Sequence, residues 1–115
     1  MNNEKPITWV DSALKDLLKF PDKAKRETGF QLHRIQYGED PDNWKPFNQI
    51  GAGVREIRIS EDNGIYRVMY VAKFEEAVYV LHAFQKTSQT TTKHDKDIAS
   101  ARYQRVLNWR RQHGH

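Results

Sequence analysis

Apolar residues recur with two different periods along this chain. Between Ala13 and Ile35 they fall three and four positions apart. Ala13, Leu14, Leu17 and Leu18 form one stripe, and Ala24, Thr28, Leu32 and Ile35 form another. That is the spacing of helices with one buried face. The first helix is predicted over Asp11–Phe20, with Asp11 as its N-cap. Pro21 suits the first turn of a second helix, where its missing N–H is not needed. Gly38 fits the left-handed stop after Tyr37, and the tight connection predicts a helical hairpin. The stretch GEDPDNWKPFNQIGAG that follows has the Gly, Pro, Asp and Asn content of a loop.

The period then changes to two. Val54–Ile59, Ile65–Ala72 and Ala77–Phe84 read as strands. Glu61–Gly64 reads as a hairpin turn, with Asn63 and Gly64 supplying positive φ angles, and Lys73–Glu76 as a second short connection. A three-stranded antiparallel meander results, with Ile7–Val10 as an added edge strand. A last helix is predicted from about Lys93, opened by the capping pair Thr92 and Asp95. Its residues Ala99, Tyr103, Val106 and Trp109 should pack on the sheet, leaving Arg102, Arg105 and Arg110 off that stripe. Helices, then strands, then a closing helix predict a small α+β fold.

Alternation assigns the faces of each strand. Arg55 goes with Ile57 and Ile59, whereas Glu56 and Arg58 point the other way with Val54. Arg67 shares a face with Met69 and Val71. His82 falls with Val78, Val80 and Phe84. Every central strand thus carries a charged or titratable group into an apolar pattern, which a plain core does not require. Arg67 reads either as a structural ion pair with Glu56 or as a rigid guanidinium aimed at a phosphate, whose oxygens it matches bidentately. His82 reads as a hydrogen-bonded core histidine or a second candidate for proton transfer. His94, at the predicted start of the last helix, is the leading candidate base. Lys86 and Lys93 bracket the hydroxyl-rich turn between sheet and helix and are placed to meet backbone phosphates.

Composition narrows the classes. The 115 residues suit one domain, 1–115, with one modest core. There is no cysteine, which excludes disulfides and thiol nucleophiles and fits a reducing cytoplasm. No run is long enough to span a membrane, and MNNEKPITWV lacks the apolar core of a secretory signal. Residues 93–115 carry six Lys/Arg against two Asp/Glu, which is the whole +4 excess of the chain. That asymmetry favours a polyanion or an acidic partner, or else marks a solvated basic helix face. No zinc-ligand spacing, P-loop or Ser-His-Asp arrangement occurs.

The ordered pieces GAGVREIRI, IYRVMY and VLHAFQKTSQTTTKHDKDIASAR, preceded by FPDKAKRETGFQLHRIQYGEDP and KPF, resemble the phage-derived HigB-like branch of the RelE/ParE toxin superfamily. The resemblance covers most of the chain and rests on the order and spacing of the pieces together. It implies a RelE-like fold, with an N-terminal helical hairpin packed on a small antiparallel sheet and a C-terminal helix. It implies the toxin of a type II toxin–antitoxin pair, neutralised by a cognate antitoxin, commonly a helix-turn-helix protein. It further implies an endoribonuclease that cuts mRNA in the ribosomal A site by 2′-hydroxyl attack, with neither metal nor other cofactor. In the matching motifs Arg58 and Arg67 would contact phosphate or the transition state, and Lys86, His94 and His82 would complete the catalytic set. Arg55, Lys93, Arg102 and Arg105 would bind RNA. The family often has a second basic residue after the Lys of the F-Q-K motif, where this chain has Thr87, leaving Lys93 or Arg102 to substitute. Three rival readings are a ParE-like inhibitor of DNA gyrase, with the same fold and no RNase activity, a non-catalytic nucleic-acid-binding or regulatory module, and an inactive phage remnant.

Overall fold

The three period-two segments become the centre of a five-stranded sheet. The computed structural model describes residues 3–115. Its elements are β1 (Ile7–Trp9), α1 (Ala13–Leu17), α2 (Asp22–Gln36), β2 (Trp44–Pro46), β3 (Val54–Glu61), β4 (Gly64–Val71), β5 (Val78–Lys86) and α3 (Lys93–Gln112). The strand order is β1-β5-β4-β3-β2. The predicted meander is present, and the added edge strand is β1. That strand runs parallel to β5 while all other pairs are antiparallel, so the sheet is mixed rather than wholly antiparallel. The fold is α+β, with three helices on a sheet covered on both faces.

Each face has its own core. Ala13, Leu17, Phe20, Ala24, Leu32 and Ile35 of the α1–α2 segment pack on Ile57, Ile59, Val68, Tyr70, Val78 and Val80. On the other face Ala99, Tyr103 and Val106 of α3 meet Val54, Met69, Val71, Tyr79 and Leu81. β4 is therefore buried from Tyr66 to Val71 without a break, as a central strand covered on both sides must be.

Several local expectations change. Asp11 does not cap α1; it sits at φ +51°, a conformation Asp tolerates better than most residues. The first helix is consequently shorter than predicted, and its N-cap is Ser12. Pro21 caps α2 from just outside instead of lying in its first turn. Gly38 does stop that helix, at φ +85°. The stretch read as a loop contains β2, which pairs with β3 through Lys45 and Glu56. Glu61–Gly64 closes the β3–β4 hairpin as expected, but neither Asn63 nor Gly64 takes a positive φ. A Cβ on Gly64 would lie 2.7 Å from Gln85 Nε2, the end of an exposed, flexible side chain.

One irregularity decides the rest. Met69 faces His82, whereas the next residue, Tyr70, faces Val80. Leu81 is thus an extra residue in β5, a β-bulge that re-phases the strand beyond it. Before the bulge Tyr79 and Leu81 point toward α3; beyond it, His82 and Phe84 do. Strict alternation had grouped those two with Val78 and Val80, which lie on the opposite face.

Thr92 caps α3, accepting from the Asp95 N–H at 3.2 Å. Trp109 does not reach the sheet; it is 46% exposed and stacks on His113 at 4.1 Å. Arg110 takes the inward place at that end. Its guanidinium lies 3.8 Å over the Phe74 ring and donates to Glu76 at 2.6 Å. Among the described residues no helix is long and apolar enough to cross a membrane. The Arg110 contact holds the Glu76 carboxyl down at about 2. Its stabilisation should be complete above the ordinary carboxylate range and drain away as pH falls from about 4.5 toward 2. Arg110→Ala should lower the urea midpoint at pH 7, with much less difference from wild type at pH 2.5.

Candidate functional site

The register stacks three rows of side chains on the α3 face. Ser60, Ile65 and Lys86 form the outermost row; Arg58, Arg67 and Phe84 the next; Lys45, Glu56, Met69 and His82 the third. Arg58 and Arg67 stand directly opposite each other. Like charges so placed destabilise a sheet, and hydrophobic burial alone does not call for them. Arg58 is exposed, while the Arg67 side chain is only 5% exposed.

Glu56, fully buried, is the carboxylate that offsets this pair. Its Oε1 lies 3.5 Å from Arg67 Nε. The same guanidinium donates through Nη1 to the Tyr66 carbonyl at 3.1 Å. Its Nη2 makes no hydrogen bond to protein among the described residues. Burial lowers the Arg67 pKa from its usual value; Glu56 opposes that shift and Arg58 adds to it. Burial likewise lowers Lys86, reinforced by Arg67, Lys45 and Arg58 and opposed by Glu56. Four cations thus act on one another around a single carboxylate. An anion with several oxygens, such as a phosphodiester, would relieve their repulsion and accept their hydrogens.

Lys45 is the member that sequence reasoning missed. It sits on β2, a three-residue strand inside a Pro-rich segment. Pro46 is the signal that could have found it, because proline in a sheet is confined to edge strands. Lys45 and Lys96 both rest over the Phe47 ring, at 5.4 and 6.0 Å, which extends the basic surface onto α3.

His82 and His94 line a groove of about 730 Å³ beside Phe84, the cross-strand neighbour of Arg67. They differ in freedom. His82 Nε2 is bound to Asp95 Oδ1 at 2.8 Å, its ring stacks on Phe84 at 4.9 Å, and its Nδ1 is buried without a hydrogen-bond partner among the described residues. Burial pushes this imidazole below its usual range against the pull of Asp95. His82 therefore fixes the start of α3 to β5 and presents no open nitrogen to a substrate. His94 is exposed at the mouth of the same groove.

The other candidate cations lie elsewhere. Arg55 is on the opposite face, paired with Asp40 at 2.8 Å and stacked 4.0 Å over Trp44. Lys93 pairs with Asp97 along α3 at 2.8 Å. Arg102 is nearly buried; it donates to the Leu81 carbonyl at 2.9 Å and to Ser12 Oγ at 2.7 Å, clamping α3 to the bulge and to α1. Arg105, 69% exposed, lies 3.3 Å from Asp11. Arg102 is thus committed to the Leu81 carbonyl and Ser12, and Lys93 reaches only Asp97 of its own helix. For His82 the linkage sign is fixed by its lowered pKa. The unfolded chain takes up the proton first, so stability is present above about pH 6.5 and is lost below it. His82→Asn should flatten that loss in chemical unfolding between pH 7 and 5.5; an unchanged pH slope would contradict the assignment.

Residues 15–104 match the family described as phage derived protein Gp49-like (DUF891). No curated protein matches the chain at significant similarity. With nine-tenths of α1–α3 and the whole of the cation cluster inside the matched range, the chain belongs to the Gp49-like phage-derived family, a toxin-like family of the RelE/ParE-related group.

Proposed function

We propose that this protein is the toxin of a toxin–antitoxin pair, of RelE-like arrangement and HigB-like type, that cuts mRNA in the cytoplasm by attack of the RNA on itself. The observation that carries this reading is the directly opposed Arg58–Arg67 pair, joined by Lys86 and Lys45 around one carboxylate. In the reaction the 2′-hydroxyl oxygen bonds to the adjacent phosphorus and the P–O5′ bond breaks. A 2′,3′-cyclic phosphate forms, and the 5′-oxygen leaves with a proton taken from solvent. Arg67 Nη2 and Lys86 stabilise the charge that grows on the phosphoryl oxygens, Arg58 and Lys45 hold the flanking backbone, and His94 takes the 2′ proton. His82 is a positioning group in this scheme. The cluster has few groups to order a flexible RNA strand, which supports a ribosome-bound substrate aligned from outside. A separately encoded helix-turn-helix antitoxin is the partner this reading expects.

The test is end-mapping of one defined message with purified protein, with and without translating ribosomes. Cuts confined to A-site codons in the presence of ribosomes are expected. Arg67→Ala should slow them by roughly 100- to 1,000-fold, the usual cost of losing a transition-state donor. Arg58→Ala, at an exposed position, should slow them without loss of folded protein. Cuts on naked RNA would keep the nuclease and remove the ribosome. No cuts by folded protein, with inhibition of gyrase supercoiling, would replace this reading by the ParE-like one.

A further inference from the structure

The hydroxyl-rich turn between β5 and α3 has a function in the site that its sequence does not declare. Most of its residues are exposed, but Thr91 is buried and donates to Glu56 Oε2 at 3.0 Å. That bond spans 35 residues of chain. It is the hydrogen bond that orients the Glu56 carboxylate, because among the described residues Oε1 has no hydrogen-bond partner and faces Arg67 Nε, which has none either. The two unpaired atoms are 3.5 Å apart, within ion-pair range and beyond a well-formed hydrogen bond. Arg67 is therefore held by a carboxylate whose own angle is set from the turn.

We infer that Thr91 and Glu56 form a relay that positions Arg67, coupling the conformation of the turn before α3 to the aim of the phosphate-binding guanidinium. Thr91 precedes Thr92, the N-cap of α3, whose side chain also binds Asp95. One short segment thus fixes the helix start and the carboxylate together. A ligand that shifts the turn would rotate Glu56 and with it Arg67. The relay deepens the proposed function and rests on it for its consequence in catalysis, although not for its geometry.

Thr91→Val removes the hydroxyl and keeps the shape, while Thr91→Ser restores the donor. The geometric readout is hydrogen exchange of the Arg67 Nε–H by NMR in the full-length protein, with thermal melting as the control for folding. The catalytic readout is single-turnover cutting on ribosomes against apparent affinity. Thr91→Val should speed Nε–H exchange and lower the cutting rate roughly tenfold with affinity little changed, as expected when a group is misaligned rather than removed. Thr91→Ser should bring both back. A folded Thr91→Val protein with wild-type Nε–H exchange overturns the relay. If wild-type protein cuts no RNA, the proposed function fails, and the Nε–H response of the two variants still decides whether the relay exists.

Discussion

A nearly buried guanidinium on a central strand must have its charge answered, and in this protein one carboxylate answers it. Arg67 and Glu56 lie on adjacent central strands beneath the start of α3. Removing either partner of a buried pair typically costs about 3–5 kcal/mol, since the survivor is left charged and dry. The pair nevertheless buys little stability beyond what an apolar pair would give. Its consequence is geometric: it places an Arg with one corner not hydrogen-bonded among the described residues opposite a second Arg. A fold selected only for stability has no need of that arrangement.

The surrounding structure works to keep that corner in place. The bulge at Leu81 turns His82, Phe84 and Lys86 onto the face that already carries Arg58 and Arg67. Without it, the same residues would point toward α1 and α2. The bulge is secured by Arg102, which takes the Leu81 carbonyl, and by His82, which takes Asp95 at the head of α3. At the far end, Arg110 and Glu76 tie the helix to the β4–β5 connection. Of the cations assigned to RNA binding, Arg102 and Arg105 hold α3 to the segment before α1, Lys93 pairs along α3, and Arg55 lies on the opposite face.

The sequence disclosed the fold where periodicity is regular. β3 and β4 obey strict alternation, and the faces assigned to Arg55, Glu56, Arg58 and Arg67 are the faces they occupy. The Thr92–Asp95 cap was legible because its chemistry is local. What was hidden depends on non-local geometry. A bulge leaves no mark in composition, so His82 and Phe84 were placed on the wrong face. A three-residue edge strand inside a Pro- and Asp-rich segment has too few positions to show a period, so Lys45 went unnoticed. Arg102 looked like a solvent-facing cation because its partners, Leu81 and Ser12, are distant in sequence. Of the two readings of Arg67, the ion pair with Glu56 is present, at 3.5 Å, and the phosphate reading belongs to the proposed function.

The most direct measurement of the central claim is an NMR titration with a short RNA whose 2′-hydroxyl at the cut position is replaced by hydrogen. The substrate then binds and cannot react. The account predicts that the largest shifts fall on the side-chain signals of Arg67, Arg58, Lys86 and Lys45, weakening steeply as salt is raised. Shifts centred instead on Arg55 or Arg105, with the Arg67 guanidinium undisturbed, would contradict it.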